Sequence, residues 1–247
     1  MSIEPYYSDD FVTLYHENCL ESLKRFNDDA FQLVITSPPY NMNWRNGKIT
    51  KTEFSTKYTH FDDALPIEEY NALHSTILKE LLRVSPLVFY NVAIVTGSKT
   101  SVFKMIGDFA ENLQDIIIWH KPNGVPSTNA QILNRRYELI LIFSKNNGLS
   151  RQIQEGTFQP GKLEDVWNIP TQKSQSKDHT AVFPEALVLK IIENFSHKGD
   201  HVYDPFIGTG TTAEVAKKTG RFATGSDISS DYLDVAVKRL AQEVLFV

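Results

Sequence analysis

A short turn that follows an apolar run combines a hydroxyl group, two prolines and an aromatic ring, in the order Ser37-Pro38-Pro39-Tyr40. Consecutive prolines fix φ and remove two N–H donors, so the turn is rigid and its carbonyl groups can accept hydrogen bonds. The Ser37 hydroxyl and the Pro38 carbonyl suit the two hydrogens of an –NH₂ group, and Tyr40 suits stacking on a flat ring. Taken alone, the segment also fits a proline-stiffened loop without a ligand.

A second turn, at residues 204–212, carries glycines between a predicted strand and a predicted helix. Glycines let the backbone turn tightly and approach a ligand, and the start of a helix offers unpaired N–H groups. Asp227 ends the next predicted strand, at a spacing where a carboxylate can accept hydrogen bonds from both hydroxyls of a ribose. Asp204 at the head of the turn suits the amino group of a methionine moiety and would repel a pyrophosphate. The two aspartates favour a nucleoside cofactor over a turn without a ligand.

Alternating strands and helices must position these two turns. Compact apolar runs predict strands, and apolar residues at helical spacing predict helices. The predicted strands are 11–15, 32–36, 92–96, 116–119, 139–143, 201–204 and 222–226, and the predicted helices are 66–84, 186–195 and 211–219. This alternation predicts an α/β fold, with a mostly parallel sheet covered by helices on both faces. The length of 247 residues suits one domain that spans the chain.

The charge of the chain is distributed unevenly. The net charge is −5, which argues mildly against nucleic acid as a partner because phosphate contacts require Lys and Arg. Residues 41–60, however, contain four basic residues and one acid, and residues 121–177 contain eight basic residues and four acids. Local sign matters more than the total for steering a polyanion, although ordinary solvated surfaces explain these segments equally well. The long polar segments within 121–178 are typical of functional loops.

Several classes of protein are disfavoured by what the chain lacks. Cys19 is the only cysteine, so an internal disulfide and a multi-thiolate metal site are excluded. We expect no membrane span and no secretory signal, because no long apolar run is present and the N-terminus lacks a basic region before an apolar stretch. These features favour a cytoplasmic protein. The sequence has no phosphate-binding Gly-Lys-Ser/Thr loop and no metal-ligand cluster, so neither ATP nor a metal is expected.

The two turns together resemble those of the amino-methyltransferases of bacterial and phage restriction-modification systems. Residues 36–40 match that family's catalytic motif, and residues 204–212 match its cofactor motif. The catalytic motif comes first, as in the permuted β group. Further matches are the Trp-x-Lys segment within residues 118–123 and residues 179–185, which precede the cofactor strand. Two positions depart from the family: Glu17-Asn18 replaces a Gly-Asp pair, and Asp227 replaces the more frequent Glu.

The resemblance implies a Rossmann-like methyltransferase fold with a seven-stranded, mostly parallel sheet and a circularly permuted motif order. Strands one to four of that fold correspond to residues 201–204, 222–226, 11–15 and 32–36. The implied cofactor is S-adenosylmethionine, and the implied partner is double-stranded DNA, with a homodimer left open. DNA-recognition segments are expected at 41–64 and 144–178. The implied site residues are catalytic Ser37, Pro38, Pro39 and Tyr40; cofactor-binding Asp204, Pro205, Phe206, Gly208, Gly210, Thr211, Asp227, Phe183, His179 and Asn18; and DNA-binding Arg45, Lys121, Arg135 and Arg136.

Within this family the residue at position 37 bears on the target base. Ser37 favours N4 of cytosine, since the Asp form of the motif is mostly found with adenine, but N6 of adenine stays open. A cytosine C5 enzyme is disfavoured because it needs a Pro-Cys nucleophile, whereas Cys19 follows Asn18. An RNA or protein amino-methyltransferase is a weaker alternative, since those enzymes usually carry Asn at this position. An inactive DNA-binding subunit is disfavoured because both turns are intact.

Overall fold

The computed structural model describes residues 4–42, 44–45, 48–49, 63–124, 131–146, 151–172 and 183–241. Its strands are β1 (Tyr7–Ser8), β2 (Val12–His16), β3 (Leu33–Thr36), β4 (Trp44–Arg45), β5 (Lys48–Ile49), β6 (Leu87–Val92), β7 (Leu113–His120), β8 (Tyr137–Ser144), β9 (Val166–Asn168), β10 (His201–Asp204) and β11 (Phe222–Asp227). Its helices are α1 (Cys19–Leu23), α2 (Ile67–Val84), α3 (Lys99–Asp108), α4 (Glu185–Phe195), α5 (Thr211–Lys218) and α6 (Ser230–Leu240). In this part of the chain no helix is long and apolar enough to cross a membrane.

The main sheet has nine strands, in the order β1-β2-β11-β10-β3-β6-β8-β7-β9, and β4 and β5 form a separate two-stranded ribbon. The expected number of seven is therefore too low. The seven strands from β2 to β7 in this order are those of the expected fold, and the short strands β1 and β9 extend its two edges. Because β1 has two residues and β9 has three, neither is long enough to show an alternating apolar pattern.

The centre of the sheet is parallel. Strands β2, β11, β10, β3 and β6 pair parallel in succession, and β8 pairs antiparallel with both β6 and β7. Every residue of β3 and β6 is buried, as expected for strands covered on both faces. The α/β class and the mostly parallel sheet predicted from the sequence are thus confirmed.

Two apolar clusters lie on opposite faces of the sheet. One cluster takes its helical residues from α4, α5 and α6, and it includes Leu187, Ala213 and Leu233. The other takes its helical residues from α1, α2 and α3, and it includes Leu23 and Ile77. The regular apolar spacing of α2 and α4 explains why both helices could be predicted, since each presents one apolar face to the sheet.

The strand predicted at 92–96 is wrong in position. The structure places β6 at Leu87–Val92, and its pairing with β8 ends where Val92 lies opposite Leu139. Ala93 and Val95 are buried in the turn that leads into α3, whereas Thr96 is exposed, so this apolar stretch does not extend the sheet. The predicted strands near 116–119 and 139–143 are present but longer, at Leu113–His120 and Tyr137–Ser144.

The order of the strands brings both ends of the chain to one edge of the sheet. β10, α5 and β11 come late in the sequence, but β10 and β11 lie between β2 and β3. The carboxyl ends of these four parallel strands therefore meet, which places the glycine turn after β10 beside the proline turn after β3. Ligands of open parallel sheets bind at this edge.

Candidate active site

The predicted catalytic turn follows β3 at this edge. Thr36 is the last residue of β3 and is buried, and Ser37 begins the turn. Tyr70 of α2 donates a hydrogen bond of 2.9 Å from its hydroxyl to the carbonyl of Pro39. The turn is therefore held by the sheet at its start and by α2 near its end.

Two buried polar side chains fix the residues that follow the turn. Asn41 has a φ of 57°, a left-handed conformation that asparagine tolerates better than most residues. Its side chain accepts from the N–H of Leu65 at 2.7 Å and donates to the carbonyl of Leu65 at 2.8 Å. Asp63 accepts from the N–H groups of Asn41 and Met42 at 2.5 and 2.9 Å. These four bonds tie the backbone after Tyr40 to the loop before α2.

Strands β6 and β8 bring two polar side chains to the turn that the sequence analysis did not identify, Asn91 and Glu138. Tyr40 Oη donates to Glu138 Oε2 at 3.0 Å and lies 3.0 Å from Ser37 Oγ. Asn91 Nδ2 donates to the same Glu138 oxygen at 2.8 Å and to Ser37 Oγ at 3.3 Å, and it also contacts Tyr40 Oη. Ser37 thus belongs to a hydrogen-bonded group of four side chains.

Lys121 joins this group as the ion-pair partner of Glu138. Its ammonium group contacts Glu138 Oε1 and lies 4.4 Å from the centre of the Trp119 ring. The exposed fractions of the Lys121 and Glu138 side chains are only 16% and 12%, so this ion pair is screened less than one on the surface. Lys121, which the resemblance assigned to DNA binding, therefore lies in the wall of the catalytic site.

The predicted cofactor turn joins β10 to α5. Gly208 and Gly210 have positive φ values of 51° and 83°. A Cβ atom on Gly210 would lie 2.7 Å from the Cβ of Ala236 in α6, whereas the nearest described atom to a Cβ on Gly208 is 3.9 Å away. Gly210 is thus required for the packing of α6 against the turn. A Cβ on Gly208 would make only an ordinary van der Waals contact with the described residues.

Asp204 connects the cofactor turn to the catalytic strand. Its Oδ1 accepts from Thr36 Oγ1 at 2.9 Å and from the N–H of Phe206 at 3.0 Å, and its Oδ2 accepts from Thr212 Oγ1 at 2.7 Å. The side chain is buried. Burial raises the pKa of the Asp204 carboxyl to about 6, although the hydrogen bonds from Thr212, Phe206 and Thr36 favour its charged form.

Asp227 ends β11, where it pairs with His16 of β2. Its Oδ2 accepts from the N–H of Gly208 at 3.0 Å, and its Oδ1 accepts from the N–H of Ser229 at 2.8 Å. The carboxylate is therefore oriented by the glycine turn and by the start of α6. Asn18 follows β2 at the same edge, and its side chain caps α1 by accepting from the N–H of Leu20 at 2.9 Å.

The other predicted cofactor residues have structural contacts of their own. Thr211 Oγ1 accepts from the Arg239 guanidinium at 3.0 Å, and the Pro205 carbonyl accepts from Ser226 Oγ at 3.3 Å. Phe206 packs against the cluster under α1 to α3. Phe183 is partly buried, with its ring centre 6.4 Å from that of Trp119. His179 lies outside the described residues.

Two of the predicted DNA-binding residues, Lys121 and Arg136, lie next to each other, since the Lys121 N–H donates to the Arg136 carbonyl at 2.7 Å. Arg135 and Arg136 are exposed just before β8, and Arg136 donates to the Pro122 carbonyl. Arg45 lies in β4, of which only the backbone is described. The recognition segments at 41–64 and 144–178 are described in part. Within the second segment, residues 151–172 pack on α4 and contribute the edge strand β9. This portion is therefore part of the folded sheet.

The thiol of Cys19 is buried, and this burial raises its pKa to about 12. A thiol with such a pKa is protonated at neutral pH and is a poor nucleophile. Within the described ranges, no group of three or more His, Cys, Asp or Glu side chains could hold a metal ion.

Comparison with known proteins identifies a family for most of the chain. The profile of a DNA methylase family that joins N6 and N4 methyltransferases matches residues 31–238. The type II methyltransferase M.HinfI of Haemophilus influenzae is 32% identical over 94% of this chain and 69% of its own length. The type II methyltransferase M2.DpnII of Streptococcus pneumoniae is 28% identical over 97% of this chain and 93% of its own.

Solved structures share the fold. PvuII DNA methyltransferase (cytosine-N4-specific) superposes with a TM-score of 0.74 at 19% identity, covering 97% of this chain and 89% of that one. A protein of Thermus thermophilus named as a candidate DNA modification methylase, solved in complex with S-adenosyl-L-methionine, gives a TM-score of 0.66 at 26% identity, covering 95% of each chain.

Proposed function

Because the chain belongs to the DNA methylase family of N6 and N4 methyltransferases, we propose that it methylates N4 of cytosine in double-stranded DNA. The methyl donor is S-adenosylmethionine, which the similar protein of T. thermophilus holds in its structure. Membership of this family indicates that the protein methylates an amino group of a DNA base. The choice of cytosine and the roles of individual residues are our proposal.

The observation that carries the proposal is the bridge made by Asp204. One of its oxygens holds Thr36, which directly precedes Ser37, and the other holds Thr212 in the first turn of α5. The turn predicted to hold the amino group of the base and the turn predicted to hold the cofactor are therefore joined through one buried carboxylate. An enzyme that moves a group from a cofactor to an amine needs such a fixed relation, because misplacement of the reacting atoms sharply lowers the rate.

We assign the cofactor to the residues around the glycine turn. Asp227 suits the ribose hydroxyls because the N–H groups of Gly208 and Ser229 already orient its carboxylate at the end of β11. Asp204 suits the methionine end. Gly208 leaves room for the approach of a ligand, and Phe183 beside Trp119 provides an apolar wall. Asn18 lies at the same edge of the sheet, after β2.

The catalytic turn is assigned to the target base. Ser37 Oγ and the Pro38 carbonyl accept the two hydrogens of the amino group, and the Tyr40 ring stacks on the extruded base. When bound, S-adenosylmethionine supplies a methyl group that the positive sulfonium already activates. Ser37 is a neutral hydroxyl and too weak a base to remove a proton from the amine beforehand. The amine nitrogen would therefore attack the methyl carbon directly as the methyl–sulfur bond breaks, without a covalent enzyme intermediate, and would release its proton to water afterwards.

Cytosine is favoured over adenine by Ser37 at the head of the turn, through the resemblance described above. Cytosine C5 chemistry is disfavoured further by the buried, protonated thiol of Cys19. Both amino bases present –NH₂ hydrogens, so the hydrogen-bond acceptors of the turn alone do not separate them.

The test is modification-sensitive sequencing of DNA from an expression host that lacks its own methyltransferases. We expect 4-methylcytosine within one short recurring motif, and no such mark in a host that expresses the Ser37→Ala variant at the same level. N6-methyladenine in the motif would refute the choice of cytosine and keep the family activity. Absence of any base methylation, with soluble protein that binds S-adenosylmethionine in calorimetry, would refute the activity itself.

A further inference from the structure

We propose that Glu138 fixes the direction of the Ser37 hydroxyl hydrogen, so that the site accepts an amino group and rejects a ring carbonyl. This inference rests on the proposed function and deepens it, because it assigns a specificity-determining role to a residue outside the two motifs. Glu138 acts through Tyr40 and Asn91 and is a positioning residue. It lies on β8, and Asn91 lies on β6, whereas Ser37 and Tyr40 follow β3.

The hydrogen bonds between Ser37, Tyr40 and Glu138 have a fixed direction. An ionised carboxylate can only accept, so Tyr40 donates its single hydroxyl proton to Glu138 Oε2, 3.0 Å away. The Tyr40 oxygen is then left as an acceptor toward Ser37 Oγ, also 3.0 Å away. The Ser37 hydroxyl hydrogen consequently points to Tyr40. Hydrogen-bond donation therefore runs in one direction, from Ser37 to Tyr40 and from Tyr40 to Glu138.

The orientation of Asn91 strengthens this direction. Its Nδ2 faces Glu138 Oε2 at 2.8 Å, and the reverse orientation would set the amide oxygen against a carboxylate oxygen at that distance. The same nitrogen faces both Ser37 Oγ and Tyr40 Oη, so Asn91 acts as a donor toward these hydroxyl oxygens and cannot accept from them. With its hydrogen committed to Tyr40, Ser37 presents only a lone pair to a base in the site.

The ion pair with Lys121 holds Glu138 in this role. Lys121 contacts Glu138 Oε1, which leaves Oε2 for Tyr40 and Asn91. The ammonium group also lies over the Trp119 ring, which restricts its position. Both charged side chains are largely buried, and a charge in such surroundings imposes its direction on neighbouring hydroxyls more strongly than one in water.

The consequence is a selection between classes of base. The amino group of cytosine or adenine donates a hydrogen to the Ser37 lone pair. The carbonyl of uracil or hypoxanthine at the same position would place an oxygen lone pair against that of Ser37. A site with a fixed acceptor discriminates strongly against a group that cannot donate, because its own polar atoms are left unpaired.

The variant Glu138→Gln tests this directly. Glutamine has nearly the same shape, but its amide can donate to Tyr40, which allows Tyr40 to donate to Ser37 and turns the Ser37 hydrogen toward the base. The substrates are duplexes that contain the motif found by sequencing, with cytosine or uracil at the target position opposite an abasic site. The abasic partner makes the energy of base pairing the same in both duplexes. Preference for cytosine is the ratio of the two dissociation constants with a cofactor product analogue bound.

We expect Glu138→Gln to reduce this preference at least about tenfold and the single-turnover rate of methyl transfer about 100-fold. Lys121→Met is the matched variant, since it breaks the same ion pair but keeps the carboxylate. It should keep the preference, measured at pH 8, within about threefold of the wild type even if DNA affinity falls. Glu80→Gln, which breaks an exposed ion pair with Arg83 on α2, should change neither quantity.

Each outcome separates the two proposals. A wild-type protein that methylates DNA but shows no preference for cytosine over uracil, or a Glu138→Gln variant with unchanged preference, overturns the role of Glu138 alone. Equal losses of the preference in Glu138→Gln and Lys121→Met also overturn the role of Glu138, because the broken ion pair would then account for the loss. If Glu138→Gln does not fold, Tyr40→Phe removes the same link and must lose the preference. A wild-type protein that methylates no DNA overturns the proposed function and this inference together.

Discussion

Asp204 carries a negative charge at a position where little water reaches it. Its three hydrogen-bond donors come from β3, from the cofactor turn and from α5, so its protonation state affects all three. A protonated carboxyl must donate a hydrogen itself and can no longer accept from every one of these groups. The raised pKa of about 6 brings this change close to physiological pH.

At the residue scale we therefore predict that affinity for S-adenosylmethionine falls as pH falls through about 6. The ionised form of Asp204 is the one that holds the turn and suits a positive amino group. Below the pKa, the affinity should drop by about tenfold per pH unit, the slope expected for uptake of one proton. Calorimetry between pH 5 and 8 measures this slope. Asp204→Asn should bind more weakly at pH 8 and show no inflection near pH 6; the same inflection in that variant would contradict the assignment.

The sign of the stability effect is the opposite. Because the folded-state pKa lies above its ordinary value of 3.8, the unfolded chain loses its proton first as pH rises. Asp204 therefore lowers the free energy of unfolding progressively between about pH 4 and 6, and the loss persists at neutral pH. A charge is thus kept in a buried place at a cost in stability, as is common where a functional site needs it.

Single residues of the site differ in how visible they are in the sequence. Ser37, Gly208 and Asp227 lie in local motifs whose residue types suggest a chemical role, so they could be proposed from the sequence alone. Asn91 and Glu138 lie inside apolar strands and reach Ser37 only because β3, β6 and β8 are adjacent in the sheet. The one sequence feature that could have identified Glu138 is its charge within an otherwise apolar run, between Tyr137 and Leu139.

At the scale of secondary-structure elements, Gly208 and Gly210 in the turn between β10 and α5 have different surroundings. Both have positive φ, which costs an alanine about 1 to 2 kcal/mol. Only Gly210 also faces another element at close distance, the Cβ of Ala236 in α6. The packing of α5, α6 and β11 therefore depends on Gly210, whereas Gly208 serves the surface where the cofactor is proposed to bind.

We predict that Gly208→Ala and Gly210→Ala separate binding from stability. Gly208→Ala should lower the free energy of unfolding by about 1 to 2 kcal/mol and weaken cofactor binding. Gly210→Ala should lower it by about 2 to 5 kcal/mol, because strain and steric overlap add. Urea unfolding followed by circular dichroism, with calorimetry of the cofactor, measures both effects. Equal destabilisation by the two variants would show that the contact with Ala236 relaxes freely.

The elements that sequence analysis predicted well are those with a complete pattern. Helix α2 has apolar residues at helical spacing over its whole length, and β3 is a compact apolar run ended by prolines. Helix α3 and strand β9 were missed, because the first mixes polar and apolar residues and the second has three residues. Trp167 of β9 is fully buried, but the polar residues around it indicated a loop.

At the scale of the whole molecule, the order of the strands could not be obtained from local patterns. The bond between Thr36 and Asp204 joins residues 168 positions apart. Alternating strands and helices predict a parallel sheet, but many strand orders satisfy that pattern. The resemblance to a permuted family assigned residues 201–204, 222–226, 11–15 and 32–36 to strands one to four of that fold. In the structure these segments form four adjacent strands, in the order β2-β11-β10-β3.

The distribution of charge over the whole molecule matters for DNA. With a net charge of −5, the protein as a whole repels a polyanion, so binding depends on local basic residues. The charge of Lys121 is paired with that of Glu138, and the Arg136 guanidinium donates a hydrogen bond to the Pro122 carbonyl. Among the predicted DNA-binding residues whose side chains are described, Arg135 is the exposed one for which no ion pair or hydrogen bond is seen. It is therefore the best placed of these to contact a phosphate.

We predict that Arg135→Ala lowers the salt dependence of DNA binding more than Arg136→Ala does. Each phosphate that a cation neutralises contributes about 0.9 to the slope of log K against log salt, so loss of Arg135 should flatten the slope by about that amount. Lys104→Ala is the control, since Lys104 is exposed on α3 and paired with Asp108. Fluorescence anisotropy at several salt concentrations gives the three slopes. An unchanged slope for Arg135→Ala together with a flattened slope for Arg136→Ala would contradict this prediction. It would mean that the Arg136 guanidinium breaks its hydrogen bond to the Pro122 carbonyl and contacts DNA after the segment before β8 rearranges.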